Sequence, residues 1–360
     1  MKTVHIIGGG ITGCSLAYFL KDKYRIILHE KTDHLGGLSR TFYSIENIPY
    51  QKGFHILHTN HQWIINIIKR ANINLQRVFY DVAINPLIDF KYYRFPFNEE
   101  SIKSMPWHWK EATLQDFNKV NGASGSNLKE TIENFYGSTI YNIFYKGYIQ
   151  KITGCDAEDI NETAWFRKQL HSIDKAVNFY NEDCYFPVNE GWNKLFDYMT
   201  QDAEVIYNSE VTIDDFKDDD FLVITTRPDE FFFLSPIPYI GFRFEIDSVS
   251  YDERKPDTII FPNDVPFLSM SQYGKLFSPQ LQVGKKNIIV KDFPQLHNGE
   301  SANPVITKEN LHEHNNIINF IKQYHKHTYL CGPLATYKHM SMAESIEDAH
   351  RLAGEIKHNE

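Results

Sequence analysis

Cysteine is scarce in this sequence, and the few cysteines are scattered. Only four occur among 360 residues, and no two form a C-x-x-C pair. A zinc cluster or a dense disulfide framework needs closely spaced cysteines, so neither is expected. A reducing, cytoplasmic location is the expectation.

Basic clusters are also missing. The chain has 37 Lys and Arg against 46 Asp and Glu, a formal net charge of −9, and its cations are dispersed along the sequence. A nucleic-acid backbone is therefore not an expected partner. A phosphate-bearing ligand would have to be held locally, by backbone N–H groups and one or two arginines.

Long apolar runs are absent as well. The longest, residues 231–242, is broken by a serine and two prolines, which makes it too short to span a bilayer. The apolar stretch at the N-terminus is interrupted by glycines within residues 8–13, which argues against a secretory signal. With 14% aromatic residues and few glycines and prolines, the composition excludes a disordered or fibrous chain.

The N-terminal sixty residues carry the strongest pattern. Residues 2–7 and 24–29 read as buried strands and residues 11–22 as a helix, which predicts a β-α-β unit. Residues 8–13 satisfy G-x-G-x-x-G, and Glu30 ends the second strand. Gly8 would permit the tight turn, Gly10 the approach of a pyrophosphate, and Gly13 the packing of helix on strand. The pattern predicts a dinucleotide site, with Glu30 accepting from a ribose hydroxyl.

A Gly36-Gly37 pair follows Glu30 by six residues. This continuation resembles the flavoprotein families related to glutathione reductase and amine oxidase, in which the loop also lies against FAD. The resemblance favours FAD over NAD. Near the other end, Ser341 and Glu344 form a capping box that opens an amphipathic helix. An ordinary capped terminal helix would look the same, but in those families the last helix points its N-terminus at the flavin.

The middle of the chain is less regular. Residues 60–71, 127–151 and 191–201 are predicted as helices, residues 82–97 as a strand pair, and residues 204–212 and 221–226 as strands that rejoin the first sheet. Residues 237–292 predict a second, antiparallel sheet. The predicted fold class is α/β, with a Rossmann-like FAD-binding domain and interleaved helical and antiparallel β-sheet substrate regions. The predicted division is an FAD-binding domain (1–81, 200–235, 326–360), a helical domain (99–170) and a sheet domain (82–98, 171–199, 236–325).

Several short segments, in order along the chain, resemble the UDP-galactopyranose mutase family. Residues 53–60 are similar to the family's G-x-H-x-F-H-T-N, and residues 94–98 to its L-P-F-N. Residues 146–154 are similar to K-G-Y-x-x-K-x-W-G, residues 186–195 to I-P-V-G-G-Y-x-K-L, and residues 332–338 to G-R-L-A-x-Y-K. This resemblance extends over the whole chain and is patchy between residues 200 and 320.

The resemblance implies an unusual use of flavin. In those mutases reduced FAD acts as a nucleophile through N5, a nucleoside diphosphate leaves, and the sugar ring recloses as a furanose without net redox change. On that basis His55 and His58 would lie near the isoalloxazine as candidate catalytic residues. Packing and hydrogen bonding alone would also account for a histidine pair.

The substrate side departs from the family pattern. In the family, two arginines hold the substrate diphosphate. By spacing, one corresponds to a position near His171 and the other to Ser269, and neither is arginine here. Thr153 stands where the family has a tryptophan, and Pro333 stands where the family has an arginine after the last glycine. Losing two bidentate phosphate partners costs roughly 1.5–3 kcal/mol per charged hydrogen bond. The candidate substitutes for the two missing arginines are Arg94, Arg243 and Lys275.

The sequence thus yields a set of candidate site residues. The predicted cofactor-binding residues are Gly8, Gly10, Ile11, Thr12, Gly13, Glu30, Lys31, Gly36, Gly37, Leu38, His58, Val211, Gly332, Ser341 and Met342. The predicted substrate-binding residues are Tyr148, Arg167, Tyr337 and His339, although a surface salt bridge would equally explain Arg167. No metal site is predicted.

Three functions remain open on sequence alone. The first is a mutase-like isomerase that acts on a nucleotide sugar in surface polysaccharide or lipopolysaccharide assembly. The second is an FAD-dependent oxidoreductase of the amine oxidase or desaturase kind, because this fold carries hydride chemistry widely. The third is a non-catalytic FAD-binding subunit of a glycan-assembly complex. The sequence leaves a homodimer open.

Overall fold

Regular elements cover most of the chain. The computed structural model describes all residues except 87–90, 161–178, 218–219, 251, 253, 278–285, 297, 299 and 359–360. The strands are β1 (Thr3–Ile7), β2 (Arg25–His29), β3 (Thr41–Tyr43), β4 (Pro49–Gln51), β5 (Leu57–His58), β6 (Leu75–Arg77), β7 (Val82–Ile84), β8 (Tyr93–Phe95), β9 (Cys184–Pro187), β10 (Glu204–Ile206), β11 (Phe221–Ile224), β12 (Tyr239–Ser250), β13 (Thr258–Ile260), β14 (Ser269–Gln272), β15 (Lys286–Leu296), β16 (Glu300–Pro304) and β17 (Thr328–Leu330). The helices are α1 (Ile11–Leu20), α2 (Gln62–Arg70), α3 (Glu99–Ser104), α4 (Trp107–Phe117), α5 (Leu128–Tyr136), α6 (Ser138–Ile140), α7 (Lys146–Thr153), α8 (Asn193–Thr200), α9 (Pro228–Phe231), α10 (Lys308–Tyr324), α11 (Gly332–Thr336) and α12 (Met342–His358).

A five-stranded parallel sheet forms the nucleotide-binding part. Its strand order is β10-β2-β1-β11-β17, with β1 at the centre. The apolar stretches of β1, β2 and β11 are buried because helices cover both faces of the sheet. Helix α1 packs against α8 and α12 on one face, while α9 and α10 cover the other. The predicted β-α-β unit is confirmed, with ends that shift by one or two residues.

The second sheet has seven strands in the order β16-β12-β15-β14-β13-β7-β8. It is mixed rather than purely antiparallel, because β7 and β13 run parallel, with Val82 opposite Thr258. The expectation of an antiparallel sheet is therefore wrong for this pair, whose strands are separated by a long crossover that permits parallel pairing. One face of this sheet, here called the inner face, carries Phe242, Val290 and Phe95 and packs on an aromatic core.

Helices α3 to α7 lie against the inner face. The predicted helical stretch 127–151 is broken at Gly137, whose φ is 86° and where a Cβ would lie 2.4 Å from the Cβ of Asp116. A π-helical turn, Tyr141–Tyr145, then leads into α7. Helix α7 is fastened to the loop after β13. Gly147 packs so closely on this loop that a Cβ there would lie 1.8 Å from the Pro262 oxygen. The Lys151 ammonium donates to the Phe261 oxygen at 2.6 Å.

Two small sheets were not predicted. Strands β3 and β4 form a hairpin, and β5, β9 and β6 form a three-stranded sheet that carries His58. Helix α10 was also missed, because the region around it was assigned to the sheet domain. The division into three domains stays a prediction.

The described parts of the chain contain no helix with both the length and the apolar character of a membrane span. All four cysteines are free thiols.

Candidate functional site

The glycine-rich loop between β1 and α1 adopts the predicted turn. Gly8 has a φ of 103°, which favours glycine, and its N–H donates to the His29 oxygen at 2.9 Å. A Cβ on Gly13 would lie 1.9 Å from the Gly8 oxygen, so this glycine lets the helix pack against the loop. A Cβ on Gly10, in contrast, would meet no atom of the described residues within 4 Å. Gly10 therefore borders open space at the helix N-terminus, where a pyrophosphate would approach.

The loop after β2 closes against this turn. The Gly36 N–H donates to the Gly9 oxygen at 2.8 Å, and the φ of Gly36 is 104°. The buried Glu30 carboxylate joins the two loops, because it accepts from the Gly9 N–H at 2.8 Å and from the Thr32 hydroxyl at 2.8 Å. Glu30 thus shapes the cradle in addition to any contact with a ribose.

The C-terminal elements reach the same place. Gly332, with a φ of 82°, lies so close to α1 that a Cβ there would be 2.5 Å from the Thr12 hydroxyl oxygen. Ser341 caps α12, since its Oγ accepts from the Glu344 N–H at 3.2 Å and its own N–H donates to the Glu344 carboxylate at 2.7 Å. The predicted capping box is confirmed.

These residues fit a dinucleotide such as FAD. The open space beside Gly10 leaves room for a pyrophosphate, and the first turn of α1 presents its N–H groups there. Other predicted cofactor residues are placed as follows: Ile11 and Thr12 are buried in α1, Lys31 is exposed, Gly37 is exposed and Leu38 half-buried beyond Gly36, Met342 is buried in the first turn of α12, and Val211 packs beside β1 and β11. Their contacts with FAD stay predictions.

The two predicted catalytic histidines are held differently. His55 is half-buried, with Nδ1 3.1 Å from the Gly53 oxygen, and burial lowers its pKa to about 4. His58 is 5% exposed, and its Nδ1 lies 2.6 Å from a carboxylate oxygen of Glu182. Tyr180 stacks on the His58 ring, with centroids 3.7 Å apart and planes 14° from parallel. Sequence reasoning missed Glu182 and Tyr180, which lie more than 120 residues away along the chain.

The loop that carries these histidines is anchored by aromatic rings. Phe54 stacks on Tyr80 at 4.8 Å and on Tyr273 at 4.7 Å between ring centroids. The Tyr273 hydroxyl donates to the Gln51 oxygen at 2.9 Å. Ile56 packs in the aromatic core at the inner face and Leu57 in the core of the parallel sheet, so the histidine loop lies between the two sheets.

The predicted substrate residues separate into three groups. Tyr148 is buried in α7, near Tyr180, whose pKa lies well above its usual range chiefly because of burial and in part because of Tyr148. His339 is half-buried just before α12, and burial lowers its pKa to about 4. Arg167 lies outside the described residues, as does His171.

Tyr337 requires a correction. The side chain is fully buried, its hydroxyl donates to the Pro238 oxygen at 2.6 Å, and its ring stacks on His314. A phenol enclosed in this way cannot reach a substrate. We assign Tyr337 a structural role, in which it fixes the turn between α11 and α12.

The position expected for a diphosphate-binding arginine holds an acid–hydroxyl pair. Ser269 in β14 donates to the Asp292 carboxylate in β15 at 2.6 Å, on the inner face. Burial raises the pKa of Asp292 to about 7, and its Oδ1 atom has no hydrogen-bond partner among the residues that the structure describes. Thr153, in the place of the family tryptophan, is buried and bonds to the Ile149 carbonyl at 2.7 Å.

Arg94 and Arg243 point away from the inner face, and all three candidate substitutes pair with an acid. Arg243 alternates with Phe242 along β12, so it points to the other side, where it pairs with Glu245 at 2.7 Å. Arg94 and Lys275 both approach Asp81, each at 3.5 Å. The proposed compensation by these three residues is therefore not supported.

Comparison with known proteins agrees with this architecture. A family model described as UDP-galactopyranose mutase matches residues 143–339, and one described as an NAD(P)-binding Rossmann-like domain matches residues 6–71. A probable UDP-galactopyranose mutase of Klebsiella pneumoniae is 19% identical, over 99% of this chain and 94% of the relative. A UDP-galactopyranose mutase of Mycoplasma genitalium is 39% identical over 66 residues, which is 18% of this chain and 16% of the relative.

Solved structures show the same fold at low identity. A reduced UDP-galactopyranose mutase superposes with a TM-score of 0.79 and 13% identity, over 100% of this chain and 94% of the other. A putative protoporphyrinogen oxidase from Exiguobacterium gives a TM-score of 0.73 at 11% identity, over 100% and 99% of the two chains. A putrescine oxidase gives 0.62 at 11% identity, over 99% of each chain. Because the mutase family model alone spans more than half of the sequence, this chain belongs to the UDP-galactopyranose mutase family of flavoproteins, with FAD as its cofactor.

Proposed function

We propose that the protein isomerises a nucleotide-activated sugar between its pyranose and furanose forms, as a step in surface polysaccharide or lipopolysaccharide assembly. The observation that supports this best is the family match over residues 143–339, a span that includes α7 and the turn before α12. Such a reaction breaks the bond between the anomeric carbon and the diphosphate and later forms it again. Sugar and nucleotide therefore show no net oxidation or reduction.

Bound FAD, in its reduced form, would supply the nucleophile for this chemistry through N5. The chain's own residues would bind and orient. The loop from Gly8 to Gly13 would hold the pyrophosphate, and the N-terminus of α12 would favour negative charge on the ring system. His58, fixed by Glu182 and Tyr180, would offer a hydrogen-bonding group beside the reacting atoms.

The test compares the two redox states of the same protein. Purified protein is incubated with UDP-galactose and related sugar nucleotides, before and after reduction with dithionite, and the products are separated by chromatography. We expect furanose product only from the reduced protein. Equal conversion in both states, or none with any sugar nucleotide, would contradict the proposal.

A second candidate function is an FAD-dependent oxidoreductase. The specific observation in its favour is the inner face, where the Ser269–Asp292 pair stands in place of a cation. A neutral or cationic substrate suits such a face better than a diphosphate does. Anaerobic bleaching of the flavin by a stoichiometric amount of an amine, without any external reductant, would favour this function over the mutase.

A further inference from the structure

The His58 imidazole is constrained on two sides. Its Nδ1 atom lies 2.6 Å from the Glu182 carboxylate, and the Tyr180 ring covers one face at a centroid distance of 3.7 Å. The side chain is 5% exposed, so rotation of the ring would break both contacts inside a packed region. Strand β5 pairs with β9, which brings the Glu182 segment alongside His58.

The carboxylate decides which nitrogen carries the proton. An ionised carboxylate only accepts hydrogen bonds, so Nδ1 must be the donor. In the neutral ring, Nε2 then carries the lone pair. Among the residues that the structure describes, none hydrogen-bonds to Nε2.

The surroundings place His58 close to the helix that borders the cofactor cradle. Strand β5 packs against α12, the helix whose N-terminus borders the cofactor cradle. Tyr180, which stacks on His58, packs against the aromatic core that contains Tyr148 of α7. The His58 ring thus lies where the cofactor helix and the helical layer meet.

We propose that Glu182 is a positioning residue that fixes His58 as the Nδ1–H tautomer, so that Nε2 accepts a hydrogen bond from an N–H or O–H donor of the bound ligand. The donor is either an N–H group of the flavin or a hydroxyl group of the sugar. The identity of this ligand rests on the proposed function. The tautomer does not, because it follows from the protein's own contacts.

The first measurement is the tautomer of His58 in the FAD-loaded protein, by nitrogen NMR of labelled histidine. The Glu182→Leu variant removes the acceptor, and we expect the Nδ1–H signal of His58 to be lost. Glu182→Gln keeps an amide oxygen as an acceptor without the charge, and we expect it to retain the signal. The matched control is Glu347→Leu, because Glu347 pairs with the exposed His61 at 3.3 Å and its loss should leave His58 unchanged.

Retention of the Nδ1–H signal in Glu182→Leu, when its histidine spectrum is otherwise native, would overturn the positioning role. If that variant does not fold, an Nε2–H tautomer in the unaltered protein would overturn it equally. The kinetic expectation for Glu182→Leu is a lower kcat with an unchanged KM, and recovery in Glu182→Gln.

The second measurement identifies the donor. A shift of the Nε2 resonance on reduction of the flavin alone would assign the donor to the flavin. A shift only on addition of UDP-galactose to the reduced protein would assign it to the sugar. No shift in either arm would refute the role of Nε2 as an acceptor. If the protein lacks mutase activity while the tautomer results hold, the proposed function fails and the positioning role of Glu182 stands.

Discussion

The buried Asp292 carboxyl gives the protein a pH-dependent stability that one substitution should remove. Burial raises its pKa from 3.8 to about 7, against the smaller effect of the hydrogen bond from Ser269. The folded chain therefore binds a proton that the unfolded chain has already released between these two values. The contribution of Asp292 to the free energy of unfolding therefore falls as the pH rises through this range.

The magnitude follows from the shift. A change of about 3 pKa units, at roughly 1.36 kcal/mol per unit, corresponds to about 4 kcal/mol. Asp292 lowers the stability by this amount above pH 7 and makes no such contribution below pH 4, where it is protonated in both states. Asp292→Asn keeps an oxygen that accepts from Ser269 and cannot ionise. We therefore expect the difference in stability between variant and parent to grow in favour of the variant from pH 4 to pH 8.

Urea denaturation of both proteins at several pH values measures this difference. A fixed offset from the extra N–H of asparagine does not matter, because the change with pH is the readout. The control is Asp247→Asn on β12, since Asp247 is exposed and pairs with Lys291 at 3.3 Å. If the difference between Asp292→Asn and the parent is the same at pH 4 and pH 8, the argument that burial holds the proton on Asp292 is wrong.

Three further substitutions test other parts of the structure. Gly10→Val should fold normally yet abolish FAD binding, because a Cβ at this position meets no atom of the described residues within 4 Å and the side chain would fill the ligand space. The matched control is Gly354→Val, where a Cβ also meets open space, and it should retain the yellow holoprotein. Tyr337→Phe should lower the free energy of unfolding by about 1 kcal/mol through the lost hydrogen bond to a backbone carbonyl, with KM unchanged. A raised KM would restore Tyr337 to the substrate site. Gly147→Ala should destabilise the protein by on the order of several kcal/mol, as overpacking does at other sites. The cause is that its Cβ would lie 1.8 Å from a backbone carbonyl oxygen, and the measurement is a lowered Tm.

The nucleotide cradle could be predicted from sequence because its determinants are local. The apolar stretches of β1 and β2, the glycine spacing and Glu30 all fall within thirty residues. Each residue type has one physical reason to be there, such as the positive φ of Gly8 or the close packing of Gly13. The capping box at Ser341 is equally local, and it too is confirmed.

The surroundings of His58 could not be predicted in this way. Its strand β5 has two residues, too few to show an alternating pattern, and Glu182 reaches it only because β9 pairs with β5. Glu182, which stands next to Asp183, has no feature that distinguishes it from other acids in the sequence. Long-range pairing between short strands supplies this contact, and sequence periodicity does not register it.

The misassignment of Tyr337 has a related cause. A match to a family motif identifies a residue but not the direction of its side chain. Tyr337 takes a left-handed conformation, with φ 55° and ψ 48°, at the end of α11, and this turn sends its ring into the core beside Tyr239. The neighbouring motif position, His339, remains a candidate for the substrate pocket.

The charge on the inner face of the seven-stranded sheet is what distinguishes the two candidate functions. Side chains alternate along a strand, so Arg243 could reach this face only if β12 slipped by one residue, which would expose Phe242 and bury charge. Eleven paired positions between β12 and β15 oppose such a slip. Register thus keeps Arg243 off the inner face. A nucleotide sugar must therefore place its diphosphate away from the buried Ser269–Asp292 pair.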